Sequence, residues 1–330
     1  MKQRSLSISI GALLLTVGST LQVQAQQLPL RSNWQFNYFQ ENPAFAGFTD
    51  CLELKAGFRQ QWAGFDGAPQ TAFANVQGEL GRTAGGGVHG FGGRVTDDSA
   101  GPYGFTQLDL AYAYHMKMAQ GWRLAAGAAV GFMQYRLSLG EIVLPDFQAG
   151  NDPAITSNAN QLLAPTMDFG VWAYNKYTFW GLSIQNLIEP SVDQWGLDTR
   201  FQRHVSLTGG SMIRLDGPWS FHPAGSIRFA AGAPVAVDVQ AMFDYDESVR
   251  FGLGYRNETA LAALMTLNLM ENLTIGYAYD WNVGPLSQAS ANTHEITIGV
   301  LACPPRALVA SRPMMATACS LNPRPTAGDG

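Results

Sequence analysis

Charge is scarce in this 330-residue chain: Asp, Glu, Lys and Arg make up 14% of it, where soluble domains carry roughly 25%. A surface built from such a sequence is poorly solvated, which argues against an ordinary secreted globular domain. The net charge is −5, with 20 scattered Lys and Arg. No basic patch exists to neutralise phosphates, and nucleic acid is excluded as a partner. Beyond the first 25 residues no apolar run approaches the roughly 20 residues of a spanning helix. If the chain enters a membrane it does so as a closed β-barrel, the other architecture that pairs every backbone N–H and C=O in lipid.

Patterns that carry chemistry are equally few. The five histidines (His89, His115, His204, His222, His294) show no HExxH spacing and the three cysteines no CxxC, so no metal is expected. Gly85-Gly86-Gly87, Gly90, Gly92 and Gly93 lack both GxGxxG and a Lys-Ser/Thr ending, and glycines on an inward face simply make room. There is no GxSxG. Asp109, Asp168, Asp238, Asp280 and Glu295 share inward positions with Arg59, Arg250 and Arg256; ion pairing inside a lumen is favoured over a catalytic carboxylate pair. The expectation is a protein that is not an enzyme and has no cofactor.

What is present begins with an export signal at 1–25: Lys2 and Arg4, an apolar core from Ile8 to Val17, and Val23-Gln24-Ala25 before a mature start at Gln26. No Cys follows the cleavage point, which disfavours a lipoprotein. Glycine (36 residues) and aromatics (11%) are abundant. Period-2 alternation dominates. Leu273, Ile275, Tyr277, Tyr279 and Trp281 oppose Thr274, Gly276, Ala278 and Asp280, and Leu108, Leu110, Tyr112, Tyr114 and Met116 oppose Asp109, Ala111, Ala113 and His115. The second face is small or charged, which suits a narrow lumen with the aromatic face turned to lipid. Trp172, Trp180, Tyr277, Tyr279 and Trp281 are candidates for interfacial girdles.

The pattern predicts an all-β transmembrane antiparallel β-barrel of about 14 strands, at 52–62, 69–80, 86–96, 104–117, 121–138, 164–175, 177–188, 203–214, 219–229, 234–244, 247–257, 259–269, 272–283 and 293–302. Residues 26–51 form a lead-in segment, 52–302 the barrel, and the proline-rich 303–330 a disordered tail. Connections after even strands are tight, and 139–163, 189–202 and 284–292 after odd strands are long. This parity puts both termini in the periplasm of a Gram-negative cell. Cys51 and Cys303 flank the barrel's two ends, so closure would make a Cys51–Cys303 bridge; a Cys303–Cys319 pair or free thiols are the alternatives.

Asn42-Pro43-Ala44 with Gly47, followed by Gln61-Trp62 and Gly67-Ala68-Pro69, resembles the N-terminal signature of the PorP/SprF family of Bacteroidota outer-membrane proteins. Further matches carry His115 ("AYAYHM"), Gly254 and Tyr255 ("FGLGYR"), Asp280 ("IGYAYD"), and His294 with Glu295 ("THEITIGV"). The resemblance spans roughly 38–302 and leaves out the tail with Cys319. It implies a 14-stranded cell outer-membrane barrel of the type IX secretion and gliding motility system, one that captures, anchors or helps deliver secreted surface proteins such as adhesins. Implied partners are that secreted cargo, periplasmic secretion-system components and outer-membrane lipid. The alternative is a FadL-like or porin-like transport channel for small solutes.

Overall fold

A computed structural model describes residues 28–138, 161–189, 201–257, 259–284 and 292–303. Its strands are β1 (Leu52–Gln60), β2 (Gln70–Arg82), β3 (Val88–Ala100), β4 (Tyr103–Lys117), β5 (Arg123–Leu137), β6 (Gln161–Tyr174) and β7 (Thr178–Gln185). They continue with β8 (His204–Ser211, resumed at Ile213–Arg214), β9 (Trp219–Ala230), β10 (Ala236–Tyr245), β11 (Val249–Arg256), β12 (Ala260–Met270), β13 (Leu273–Asn282) and β14 (Thr293–Ala302). Each pairs antiparallel with the next, and β1 pairs with β14 from Leu52↔Ala302 to Gln60↔His294, which closes the ring. The fourteen expected strands are all found, with their ends shifted by a few residues.

Alternation sets the two faces as the pattern predicts. Leu52, Leu54 and Phe58 are exposed on the outside of β1, while Glu53, Lys55 and Arg59 are buried inside. β8 is interrupted at Met212 for a local reason. Its ladder to β9 stops at Gly210↔Ala224 and resumes at Ile213↔Phe221, and between them sits Pro223, which has no N–H to give.

Connections at the rim that carries Cys51 and Cys303 are short throughout, from 271–272 between β12 and β13 to 83–87 between β2 and β3. The long connections share the opposite, loop-side rim; 139–160, 190–200, 285–291 and the tail from 304 lie outside the described residues. The two ends of the described chain do not share a rim. Cys303 is at the short-turn rim, whereas Leu28 and Leu30 lie beside Phe105, Gln185 and His204 in the loop-side half of the lumen. The parity reading did not anticipate this, because it followed the strands and not the segment before them.

Cys51 and Cys303 are joined, with sulfurs 2.07 Å apart, across a sequence separation of 252 residues. Closing so long a loop stabilises, in the chain-entropy account, by roughly 5 kcal/mol. The Cys51→Ser/Cys303→Ser double variant is therefore expected to lose its folded electrophoretic form at a lower temperature than the parent on unboiled gels, with reductant producing the same shift in the parent alone.

Candidate functional site: a lumen filled by the N-terminal segment

Residues 31–50 are packed inside the ring. The segment makes three short turns, Trp34–Phe36, Tyr38–Glu41 and Pro43–Phe45, and nearly every residue in it is buried. The Asn-Pro-Ala element is a helix start: Asn42 is extended, its Oδ1 accepts from the Ala44 N–H at 2.9 Å, and Pro43 takes the first helical position, where a missing N–H costs nothing. The same Asn42 amide donates to the carbonyls of Val171 (3.2 Å) and Leu182 (3.1 Å) on β6 and β7. One residue thus both shapes the turn and fastens it to the wall.

Glycines in the wall are cut to this shape. A Cβ at Gly127 would lie 2.6 Å from Ala44 Cα, and one at Gly90 would collide with the Ala46 carbonyl and approach Gly47 Cα at 2.7 Å. Gly47 itself sits at φ +77°, where only glycine is unstrained, and crosses the wall at Gly90. Within the glycine run, Gly90 makes room for the segment's backbone and Gly92 for the Phe39 ring.

Aromatic side chains fill the remaining space. Tyr38 meets Trp172 and Phe179 at 5.2 and 4.9 Å between ring centroids, and Phe45 stacks on Phe48 at 4.4 Å. Trp172, a girdle candidate by sequence, instead points inward and is 2% exposed; it falls on the inward parity of β6, and the segment supplies its partners. Trp180, Tyr277 and Trp281 do face outward.

The lumenal charges are paired, and most of the pairs hold the segment. Arg59 binds Asp280 (2.9 Å) and Glu295 (3.0 Å). Glu295 also accepts from the Ser32 N–H at 2.8 Å, and Asp280 from the Ser32 hydroxyl at 2.6 Å. Arg256 binds Asp238 at 2.8 Å and donates to the Arg31 carbonyl at 3.0 Å, and Trp34 Nε1 donates to Asp238 at 3.1 Å. Lower down, Lys55 pairs with Glu53 (2.9 Å) and donates to the Phe36 carbonyl (2.5 Å). Across the lumen Arg94 binds Asp168 (2.6 Å) and Asp109 (3.2 Å). His115 meets the Ala46 carbonyl at 2.7 Å through Nε2 and the Tyr174 hydroxyl at 2.9 Å through Nδ1.

The segment also binds to itself, through Arg31 and Glu41 at 3.0 Å. Burial pushes the Glu41 carboxyl up, but the Arg31 and Arg228 guanidiniums outweigh it and hold the pKa below the ordinary carboxylate value.

The motif residues therefore fall into three places. Asn42, Pro43, Ala44, Gly47, His115, Asp280 and Glu295 converge on the segment and the wall around it. Gln61, Trp62, Gly67, Ala68 and Pro69 form the β1–β2 connection at the loop-side rim, where Gln61 N–H donates to the Pro69 carbonyl (2.9 Å) and Trp62 N–H to Thr293 Oγ1 (3.2 Å). On the wall, Gly254 points inward from β11, while Tyr255 faces lipid and outward-facing His294 reaches the Tyr277 hydroxyl at 2.8 Å. Sequence reasoning missed Arg31, Ser32, Trp34, Gln40 and Glu41; aromatics at 34, 36, 38 and 39, too dense for a mere linker, were the available signal. Among the described residues no His/Cys/Asp/Glu group is arranged to hold a metal.

Residues 23–300 match the family profile described as type IX secretion system membrane protein PorP/SprF. The chain belongs to the PorP/SprF family. It is accordingly an outer-membrane β-barrel of that secretion system's membrane proteins. No curated protein matches the sequence. Among solved structures, the CymD monoaromatic hydrocarbon channel is similar at 9% identity and TM-score 0.49, over 85% of this chain and 94% of the other. The Pseudomonas putida toluene transporter TodX is similar at 10% identity and TM-score 0.44, over 82% and 92%.

Two outcomes are expected in this PorP/SprF barrel. Gly127→Ala should expose the segment to trypsin at Arg31 in detergent, while Gly93→Ala, whose Cβ would meet nothing nearer than 3.6 Å, leaves cleavage at the parent rate. Because the folded pKa of Glu41 is lowered, its contribution is complete above the unfolded carboxylate value and is lost as pH falls through the folded one. Hydrogen exchange of residues 31–41 should accelerate in that acid window, and Glu41→Gln should flatten the pH dependence.

Proposed function

We propose that this PorP/SprF protein is a non-enzymatic anchor that captures, retains or helps deliver a secreted surface protein at its loop-side rim. Long loops on a rigid scaffold are where binding concentrates, and the loop-side rim carries 139–163, 189–202 and 284–292. The observation that carries this reading is the filled lumen: residues 31–50 occupy the path a solute would take, held by the ion pairs at Asp238, Asp280 and Glu295. In this reading the Cys51–Cys303 rim faces the periplasm and its secretion components, and the long loops face the exterior. Leu28 then belongs to the outer half of the lumen.

Family membership supports a role with cargo of the type IX system. The rival, a FadL-like or porin-like channel for small solutes, requires the segment to leave a continuous path. Purified protein in planar bilayers is expected to show no steady open-pore conductance, and deletion of the gene should leave one secreted surface protein unattached or unsecreted. A stable, solute-selective conductance with an unchanged surface proteome would overturn the anchor reading.

A further inference from the structure

Between the segment and the loop-side wall lies a recess that the packing described above leaves open. Its volume is about 40 Å³, room for roughly three waters or for one small amide in their place. Leu28, Phe105, Gln185, Ser206, His204 and Arg228 are among its lining.

Two of its polar groups are incompletely matched. His204 is 8% exposed, and its Nδ1 lies 3.0 Å from the Gln202 carbonyl. A carbonyl only accepts, so in the neutral ring the proton sits on Nδ1 and Nε2 is left as an acceptor. That Nε2 is buried without a partner. Arg228 projects inward from the adjacent strand, where it pairs with Ser206 while His204 pairs with Ala230. Its contact with Glu41 is 3.6 Å, beyond hydrogen-bond reach, so its donors remain available to the recess.

The charges lining the recess cancel: Arg31, Arg94 and Arg228 stand against Glu41, Asp109 and Asp168. An added ion would be desolvated with no counter-charge to receive it. A neutral group that both donates and accepts would complete the hydrogen bonding without disturbing that balance. We propose that the recess binds one amide unit of an extended peptide, its C=O accepting from Arg228 and its N–H donating to His204 Nε2. Leu28 and Phe105 provide apolar contact for the flanking side chains. Only the source of the peptide, a captured partner entering from the loop side, rests on the anchor reading; the amide chemistry does not.

The test is a titration of the full chain, purified in detergent micelles with ¹⁵N-labelled histidine and with the His204 signals assigned by loss in His204→Gln. N-methylacetamide is expected to shift the Nε2 resonance saturably, N-acetyl-Leu-N-methylamide, which adds an apolar side chain for Leu28 and Phe105, to do so at tenfold or more lower concentration, and acetate to give no saturable shift. Ser206→Leu, which fills the recess, should abolish the response; if that variant fails to fold, the titration of the parent decides alone. A linear, non-saturating shift, a response to acetate equal to that of the amide, or no gain from the added apolar side chain would overturn the proposal. In cells, Ser206→Leu should release the retained surface protein. If full gene deletion releases nothing, the anchor reading fails while the titration still judges the site.

Discussion

Everything in the lumen answers to one constraint: a charge enclosed by a narrow protein wall must be paired and hydrogen-bonded, because water cannot reach it to do so. The group around Ser32 meets most of this collectively. Arg59 pairs with Asp280 and Glu295, and the Ser32 hydroxyl and N–H add a second bond to the same Asp280 Oδ2 and Glu295 Oε2, while Asp280 Oδ1 and Arg59 Nε keep no partner. Arg256 and Asp238 complete the set through the Arg31 carbonyl and Trp34 Nε1. The wall is therefore not a finished container into which a segment happens to fit. Removing one member of such a buried set costs about 3–5 kcal/mol because the remainder is left unpaired, so wall and segment specify each other.

Much of the barrel was legible because its information is local. Each strand carries its own period-2 alternation, and turns such as Asp216-Gly217-Pro218 mark the ends; nothing distant is needed to recognise Leu273 to Trp281 as an outward row. Closure made Cys51 and Cys303 neighbours, but it left a Cys303–Cys319 pair or free thiols open, and the fold decides for Cys51–Cys303. The segment was legible as a lead-in, but its course and contacts inside the lumen were not, for the opposite reason. Its turns are three or four residues long, too short for any periodicity to develop, and its contacts connect positions such as Ser32 and Glu295 that are 263 residues apart. Asn42-Pro43-Ala44 was visible as a motif, but the backbone carbonyls of Val171 and Leu182 that it binds leave no trace in the identity of those residues.

Trp172 shows where local reading misleads. An aromatic in a barrel strand belongs by default at the membrane interface, yet its parity on β6 turns it inward, where it stacks with Phe179 at 4.8 Å and meets Tyr38 and Phe45. The small inward residues, read as space in a narrow lumen, had a definite complement: backbone of Ala44, Ala46 and Gly47 at Gly127 and Gly90, and the rings of Phe39 at Gly92 and Phe36 at Gly299. Small residues in the wall and the backbone and rings of the segment are two halves of one packing solution, and sequence showed the first half only.

The path of the segment also ties the contents of the lumen to the seam that closes it. It runs from the loop-side half of the lumen down to Cys51 and continues without a break into β1, the strand whose pairing with β14 completes the ring. A folded-back stretch pinned by Arg31 and Glu41 is poorly suited to being threaded through a ring already shut. The simplest history is that the first strand and its leading segment wait together, the last strand arrives, and the seam shuts around contents already in place. Every finished molecule would then be sealed from the moment it exists, and the membrane would at no stage hold an empty hole of this size.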